Sequence, residues 1–260
     1  MEDEFDSLSP SECGYFEDKI SMSEAYLFPT KEVAFEIFGR RSQKAAFDFF
    51  LAQGFRRNGR IIYRETCPHC QKCVPIRIRI DDFCFSKSQR SLIRKNSDVT
   101  VTVTFNQQDF ATPEKVALMK KYNLRHEPDK KETDSEVRFL LLSMNGLVDL
   151  DDTINEEPVF NGVMNMEYRL EGKLIGCGIV DIGNDSLSSN YFYYDTDSDI
   201  MKRSLGTFSI LQEIKYCMEN DFEFYYLGYY IADCKKMSYK ARFKPHETRD
   251  LETACWTRCD

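Results

Sequence analysis

Residues 163–182 read VMNMEYRLEGKLIGCGIVDI, and this stretch decides the fold. Two apolar runs, Val163–Leu170 and Lys173–Ile182, flank the pair Glu171-Gly172, which is a signal for a tight β-hairpin. Strands are also predicted at Ser188–Tyr194 and Glu223–Ile231, and the amphipathic stretch Gly206–Met218 predicts a helix between them. The order strand, strand, strand, helix, strand indicates an α/β (α+β) layer architecture.

The sequence before this stretch predicts shorter elements. Helices are expected at Ser42–Gln53, Ser88–Lys95 and Glu136–Met144 and from Pro113 onward, and strands at Arg60–Arg64, Val74–Ile80 and Val99–Phe105. We place a domain boundary near residue 96, so that residues 1–96 and 97–260 form two domains. Strand Val99–Phe105 is compatible with either.

The composition describes a globular chain. Of its 260 residues, 42% are hydrophobic and 13% aromatic, which is not typical of a disordered protein. No segment approaches the roughly 18 to 20 apolar residues of a membrane span, so we expect no membrane partner. The first residues, Met1–Glu12, are acidic and lack the pattern of a signal peptide. We therefore expect a cytoplasmic protein.

The net charge of −8 argues at first against a nucleic-acid partner. The cations are clustered, however. The stretch Ser86–Ser97 contains no acidic residue and four basic ones, Lys87, Arg90, Arg94 and Lys95. A second basic group is Lys235, Lys236, Lys240, Arg242 and Lys244. Such a group is often only a solvated surface, so neither settles the partner by itself.

The cysteines at Cys67, Cys70 and Cys73 form two consecutive C-x-x-C steps. Three thiolates in one tight loop suit Zn²⁺ or an iron–sulfur cluster, and the spacing does not decide between them. Cys13 is the candidate fourth ligand and His69 the local alternative. A closed four-ligand site would be structural rather than catalytic. The alternative is three unrelated thiols in one loop.

A candidate anion site precedes the predicted helix Gly206–Met218. The segment Lys202–Thr207 joins basic residues to a glycine at a helix N-terminus, where free N–H groups and the helix dipole favour an anion. A capped helix start with two solvated cations explains it equally well. The chain has no H-E-x-x-H, G-x-S-x-G or P-loop motif, and its three histidines lie far apart in sequence.

Several motifs in order resemble one family, the arginyl/leucyl-tRNA–protein transferases of the N-degron pathway. They are Cys13-Gly14-Tyr15, Gly54-Phe55-Arg56-Arg57, the Cys67–Pro75 loop, Ser86–Arg90 with Arg94-Lys95-Asn96, Glu167-Tyr168, Tyr193-Tyr194-Asp195, Arg203–Thr207, Tyr226–Ile231, and Lys236–Lys240 with Phe243-x-Pro245. The chain is most similar to the bacterial aspartate/glutamate leucyltransferase branch. It departs from the usual Leu-Pro turn after the first motif, where Glu17-Asp18-Lys19 stand, so Cys13 is the least secure proposed ligand.

The resemblance implies an N-terminal cysteine-containing domain followed by a GNAT-like acyltransferase domain. It implies transfer of leucine from leucyl-tRNA to proteins with N-terminal Asp or Glu, which marks them for degradation. No cofactor is required for that chemistry, and no DNA partner is expected. The alternatives are an arginyltransferase that uses arginyl-tRNA, a GNAT acetyltransferase, and a non-catalytic metal-stapled RNA-binding module.

The expected roles of individual residues follow from the residue types and the resemblance together. Aminolysis of an activated ester needs no protein nucleophile, so the site should position substrates and stabilise charge. The predicted tRNA contacts are Lys87, Arg90, Arg94, Lys95, Arg203, Ser204, Gly206 and Thr207. The predicted substrate contacts are Arg77, Arg79, Lys236, Tyr239 and Lys240, and the catalytic candidates are Tyr229 and Asp233. The predicted metal ligands are Cys13, Cys67, Cys70 and Cys73.

Overall fold

The computed structural model describes residues 7–39, 42–149 and 151–260. Its helices are α1 (Lys31–Phe38), α2 (Ser42–Ala52), α3 (Lys87–Lys95), α4 (Pro113–Asn123), α5 (Asp134–Met144), α6 (Ser198–Met201), α7 (Leu205–Glu219) and α8 (Lys235–Ser238). Its strands are β1 (Ser7–Glu12), β2 (Ile20–Leu27), β3 (Arg56–Asn58), β4 (Ile61–Glu65), β5 (Val74–Arg79), β6 (Val99–Thr104), β7 (Val163–Leu170), β8 (Lys173–Ile182), β9 (Ser186–Tyr194), β10 (Phe224–Tyr230), β11 (His246–Arg249) and β12 (Trp256–Cys259).

The larger sheet has eight strands in the order β12-β11-β5-β10-β9-β8-β7-β6. Strands β9 and β10 are parallel, and the other neighbours are antiparallel. The predicted hairpin is present, and both residues of its turn have positive φ, 51° at Glu171 and 84° at Gly172. Two positive φ angles match the twist of a two-residue hairpin turn. The α/β (α+β) class predicted from the sequence is confirmed.

Helices cover both faces of this sheet, which explains why β8 is buried along nearly its whole length. On one face, Leu174 and Ile179 of β8 belong to the core that α4 and α5 complete. On the other face, Ile175 and Val180 pack in the core that contains Phe208 and Leu211 of α7. The alternation of side chains along β8, interrupted by a register shift at Ile175, therefore divides its apolar residues between two cores.

The smaller sheet has four strands in the order β1-β2-β4-β3. A buried ion pair fixes β3 to the larger sheet, because Nη2 of Arg57 lies 2.5 Å from Oδ1 of Asp181 and both side chains are at most 2% exposed. Asn190 of β9 also donates to Oδ2 of Asp181, at 3.0 Å. These contacts hold β3, which includes Arg56, against β8 and β9 of the larger sheet.

The domain boundary near residue 96 stays a prediction. Strand β5 precedes that residue, yet it lies in the larger sheet between β10 and β11. Helix α3 also precedes it and contacts α7. None of the helices in the described ranges is long and apolar enough to cross a membrane.

Candidate active site

A cleft opens where β9 and β10 separate. The two strands pair only between Ser186–Ser188 and Phe224–Tyr226, and then each continues with its other neighbour. Each strand has an irregularity at that point, since the register shifts at Asn190 in β9 and at Leu227 in β10. Bulges of this kind bend strands and end their pairing. The resulting cleft has a volume of about 730 Å³.

Helix α7 begins at the mouth of this cleft. The residue before it, Ser204, has a left-handed backbone with φ of 56° and forms no side-chain cap. Four other helices, α1, α3, α4 and α5, are capped by serine or threonine side chains. No side chain therefore caps the first turn of α7, in which the N–H of Thr207 donates to the carbonyl oxygen of Ser204 at 3.0 Å. In the described part of the chain, no atom from outside this turn lies within 4 Å of a Cβ built on Gly206. This arrangement fits the candidate anion site at Ser204, Gly206 and Thr207, and all three residues line the cleft.

Helix α3 is attached directly to that turn. The side chain of Asn96, which follows α3, donates from Nδ2 to the carbonyl oxygen of Arg203 at 3.1 Å. Nζ of Lys95 donates to the carbonyl oxygen of Lys202 at 2.6 Å. The guanidinium of Arg203 itself forms two hydrogen bonds of 2.9 Å with the carboxylate of Asp98. The structure thus joins the basic helix to the turn, while Arg203 already has an anionic partner.

The predicted phosphate contacts of α3 are on the protein surface. Lys87, Arg90, Arg94 and Lys95 are all exposed. In the ranges that the structure describes, none of the four forms an ion pair with a carboxylate. These cations therefore form an unneutralised basic surface on the helix that is fixed to the mouth of the cleft.

An arginine that sequence reasoning did not select lies at the floor of the cleft. The side chain of Arg56 donates from Nη2 to the carbonyl oxygen of Ser189 at 2.6 Å. Its Nη1 is buried and has no hydrogen-bond partner in the described part of the chain. A Cβ on Gly228 would stand 1.9 Å from this Nη1, so only glycine leaves room for the guanidinium. A buried cation with an unused donor is suited to bind an anion.

Lys240, one of the predicted substrate contacts, lies in the same region. It is only 8% exposed, and its Nζ donates to the carbonyl oxygen of Tyr229 at 2.7 Å. Burial, together with the charge of Arg56, lowers the pKa of Lys240 to about 7. Lys240 and the half-buried Arg56 are therefore close enough for their charges to repel each other, and a bound carboxylate would offset the repulsion.

The part of the cleft lining that the structure describes contains cations and no acid. Among the described residues, the lining includes Arg56, Arg125, Lys236 and Lys240 but no Asp or Glu. Tyr239, another predicted contact, also lines it, and burial raises the pKa of its hydroxyl. The apolar part of the lining is formed by Met201, Leu205, Ile210, Leu227 and Met237. The cleft therefore favours anionic ligands and can take an uncharged aliphatic group.

The two arginines of β5 do not reach this cleft. Arg77 pairs with Glu247 at 2.6 Å and lies between the rings of Phe224 and Trp256, 3.9 and 4.1 Å from their centroids. Arg79 pairs with Glu223 at 3.2 Å on the surface. Both guanidinium groups therefore have partners outside the cleft.

The two catalytic candidates are not among the lining residues either. The hydroxyl of Tyr229 accepts a hydrogen bond from the backbone N–H of Glu65 at 3.3 Å and donates to the carbonyl oxygen of Gly54 at 3.4 Å. Asp233 forms an exposed ion pair with Lys72, with 2.6 Å between Oδ2 and Nζ. Tyr229 contributes to the cleft through its backbone carbonyl, which holds Lys240.

The four proposed metal ligands are neighbours, and all of them are free thiols. Cys13, Cys67 and Cys70 are close enough to Cys73 for their charges to contribute to its raised pKa, although burial is the main cause. Soft sulfur donors of this kind are suited to Zn²⁺ or an iron–sulfur cluster. Within the described ranges, however, no three His, Cys, Asp or Glu side chains are arranged so that they could hold one metal ion. The sulfur atoms are thus of a type that binds these metals, but their positions do not form a metal site.

Sequence reasoning missed several lining residues, including Arg56, Tyr122, Arg125 and Tyr194. Arg56 belongs to Gly54-Phe55-Arg56-Arg57, and Tyr194 belongs to Tyr193-Tyr194-Asp195, so both stood in the motifs that carried the resemblance. Neither motif shows by itself which side chain enters a cleft. Tyr122 lies in the last turn of α4 and Arg125 follows that helix, and none of the motifs contained either residue.

Family models match nearly the whole chain. Residues 11–91 match the N terminus and residues 114–250 the C terminus of the arginine-tRNA-protein transferases. Proteins named aspartate/glutamate leucyltransferase are similar over most of their length. The one from Saccharophagus degradans is 31% identical over 93% of this chain and 91% of its own, and the one from Leptospira interrogans is 30% identical over 94% and 86%.

Solved structures are similar at much lower identity. The C-terminal domain of a putative lysylphosphatidylglycerol synthetase from Agrobacterium fabrum aligns with a TM-score of 0.42 and 11% identity, over 80% of this chain and 55% of that one. A fungal GCN5-related glucosamine N-acetyltransferase region aligns with a TM-score of 0.42 and 12% identity, over 79% of this chain and 22% of that one.

Proposed function

This chain belongs to the arginine-tRNA-protein transferase family, and on that premise we propose that it transfers leucine from leucyl-tRNA to the N-terminal Asp or Glu of proteins. Membership makes it an enzyme whose substrates are an aminoacyl-tRNA and a protein. The choice of leucine and of acidic acceptors is our proposal. The names of the relatives support it, and so does the charge of the cleft.

The observation that carries the proposal is the acid-free lining of the cleft. An arginyl group brings a guanidinium, which proteins usually hold with a carboxylate in bidentate geometry. Among the described residues that line the cleft there is no carboxylate, and four side chains are Lys or Arg. A third guanidinium, beside those of Arg56 and Arg125, would be repelled there, whereas a leucyl side chain has apolar contacts available at Leu205, Leu227 and Met237.

The acceptor's acidic side chain is assigned to Arg56 and Lys240. Nη1 of Arg56 lacks a partner in the described ranges, and Lys240 is buried with a lowered pKa. A bound carboxylate would give Nη1 its missing acceptor and favour the charged form of Lys240. A neutral Asn or Gln side chain would bring no negative charge to either cation. We therefore expect selection for Asp and Glu through charge-assisted hydrogen bonds, each worth about 1.5–3 kcal/mol.

The chemistry is aminolysis of an activated ester. The neutral α-amine of the acceptor attacks the ester carbonyl of leucyl-tRNA, a peptide bond forms, and the 3′-terminal oxygen of the tRNA leaves with a proton that the amine releases. An α-amine with an ordinary pKa of about 7.7–8.0 is partly neutral near pH 7. Orientation of two bound substrates can supply up to about 7–11 kcal/mol, so no protein nucleophile or cofactor is needed.

The tRNA is assigned to the surface that α3 and the start of α7 form together. Phosphates near the ester would face the uncapped N-terminus of α7, and more distant ones would face Lys87, Arg90, Arg94 and Lys95. The cytoplasm is where charged tRNA is available, and we propose that the enzyme acts there. Its products would then be marked for degradation by their new N-terminal leucine.

The role of the thiol cluster in this proposal is structural. If Cys13, Cys67, Cys70 and Cys73 hold Zn²⁺ or an iron–sulfur cluster, the sulfur atoms must first move into a common ligand arrangement. The bound group would fix the loop that follows β4. No step of leucine transfer depends on it.

Acceptor selectivity is tested with matched peptides. Leucyl-tRNA is offered with peptides that differ only in the first residue, Asp against Asn and Glu against Gln, and kcat/KM for leucine addition is measured. We expect a preference of at least about tenfold for each acid, the equivalent of one charged hydrogen bond. Equal rates for Asp and Asn would contradict the assignment of Arg56 and Lys240.

A further inference from the structure

A group of half-exposed aromatic side chains lines the cleft apart from the Arg56–Lys240 pair. Tyr122, from the end of α4, lies with its ring centroid 5.2 Å from that of Tyr194 and 6.3 Å from that of Tyr191. His126 adds a fourth ring, 5.3 Å from Tyr122. All four line the same cleft. Rings at these distances and tilts form a cohesive aromatic surface.

A cation accompanies this surface. The guanidinium carbon of Arg125 lies 5.8 Å from the ring centroid of Tyr194, and Nη1 donates to the hydroxyl of that tyrosine. Arg125 and His126 are exposed, and in the described ranges Arg125 forms no ion pair with a carboxylate. The site therefore combines flat aromatic groups with a positive charge that the protein does not neutralise.

Core packing does not account for the whole group. Tyr193, the neighbour of Tyr194 in β9, is completely buried in the core below the sheet. Tyr122, Tyr191 and Tyr194 pack only at the edges of the two cores and remain partly open to the cleft. Partly open tyrosines beside an exposed arginine are the usual components of sites that stack unpaired nucleotide bases and contact their phosphates.

We propose that Tyr122 and Tyr194, with Arg125, form a stacking site for the unpaired bases at the 3′ end of the tRNA. This inference rests on the proposed function, because it requires the ester-bearing end of a tRNA to enter the cleft. The bases next to the ester must then cross the lining, while the phosphates can meet the N-terminus of α7. A leucyl side chain is too small to cover this aromatic surface, and an acidic acceptor residue has no aromatic ring that could stack on it.

The test measures binding of uncharged tRNA, and of the same tRNA without its unpaired 3′-terminal nucleotides. Base–aromatic stacking is worth about 1–3 kcal/mol per base, so Tyr122→Leu should weaken binding of the full-length tRNA by about 5- to 150-fold. Tyr122→Phe keeps the ring and should bind nearly as the unchanged protein does. The truncated tRNA should bind all three proteins equally.

Two results would overturn the proposal. One is full-length tRNA binding to Tyr122→Leu as tightly as to the unchanged protein. The other is an equal loss with truncated tRNA, which would assign Tyr122 to general folding or to backbone contacts. If Tyr122→Leu does not fold, Arg125→Gln is measured instead, because Arg125 is exposed. This variant should bind full-length tRNA severalfold more weakly and truncated tRNA as tightly as the unchanged protein does. Leucine addition by the unchanged protein is scored separately, so a wrong donor assignment and a wrong stacking site give different results.

Discussion

The guanidinium of Arg56 occupies the space that a side chain on residue 228 would need. A Cβ on Gly228 would lie 1.9 Å from Nη1 of Arg56, and the backbone of Gly228 has a φ of 86° that disfavours other residues. The glycine in Tyr226–Tyr230 thus leaves room for the side chain of an arginine that lies more than a hundred positions earlier in the chain. The relation fixes a buried cation at the point where β9 and β10 separate.

Loss of that cation should weaken the binding of an acidic acceptor. We expect Arg56→Gln to raise KM for a peptide beginning with Asp by about 10- to 150-fold, which corresponds to one charged hydrogen bond. The measurement is the steady-state rate of leucine addition at saturating leucyl-tRNA. Arg79→Gln is the matched control, because Arg79 pairs with Glu223 on the surface and should leave KM unchanged. An equal rise in both variants would refute the role of Arg56.

A methyl group added at Gly206 should weaken tRNA binding without lowering the stability of the fold. Nothing lies within 4 Å of a Cβ at this position, and alanine favours a helix over glycine by about 0.5–1 kcal/mol. Gly206→Ala should therefore unfold at an equal or higher urea concentration. If phosphates approach the start of α7, its affinity for uncharged tRNA should fall about tenfold, the loss of one charged hydrogen bond. Unchanged affinity would show that no phosphate binds there.

The basic surface of α3 should determine how strongly binding depends on salt. Each phosphate contact contributes about 0.7–0.9 to the slope of log affinity against log salt, so the double variant Arg90→Ala, Arg94→Ala should reduce that slope by about 1.4–1.8. The control is the double variant Lys31→Ala, Lys215→Ala, which removes two cations that already have partners on the surface. This control should leave the salt dependence of binding unchanged. The assignment of α3 fails if both double variants change the slope alike.

A buried carboxyl beneath the cleft should make stability depend on pH. Burial raises the pKa of Glu213 from 4.5 to about 7, and the hydroxyl of Tyr225 donates to its Oε2 at 2.8 Å. Between those two pH values the folded protein binds a proton that the unfolded chain has released, so the free energy of unfolding falls as pH rises. Glu213→Gln should lack this fall, so between pH 5 and pH 8 its free energy of unfolding should decrease by roughly 1–3 kcal/mol less than that of the unchanged protein.

Urea unfolding at pH 5 and pH 8 measures that difference. Glu219→Gln is the control on the same helix, since Glu219 is exposed and pairs with Lys215. If Glu213→Gln and the unchanged protein lose the same stability between pH 5 and pH 8, the carboxyl of Glu213 does not cause the pH dependence.

The sequence predicted the central strands well because their apolar pattern and turn chemistry are local. Strands β7 and β8 begin and end where predicted, and α7 agrees to within one residue at each end. Strands β11 and β12 were not predicted. Each has four residues, and they are held in the sheet by pairing with β5 and with each other, a long-range contact that leaves little local pattern.

The site was less predictable because charge alone does not say which way a side chain points. Arg77 and Arg79 alternate with apolar residues in β5, yet the structure places their partners, Glu247 and Glu223, outside the cleft. Lys240 was predicted and lies in the cleft. Its partner Arg56 could not be paired with it from sequence, since only the folded sheets bring together positions so far apart.

Donor choice is the most direct test of the proposed function. A peptide beginning with Asp is incubated with the unchanged protein and leucyl-tRNA, arginyl-tRNA or acetyl-CoA, each alone and then all in equal amounts, and the mass added to the peptide is measured. Because the described lining of the cleft has no carboxylate to hold a guanidinium, we predict addition of one leucine residue, both from leucyl-tRNA alone and from the mixture. Addition of arginine or acetyl from the mixture, or no addition from leucyl-tRNA, would contradict it.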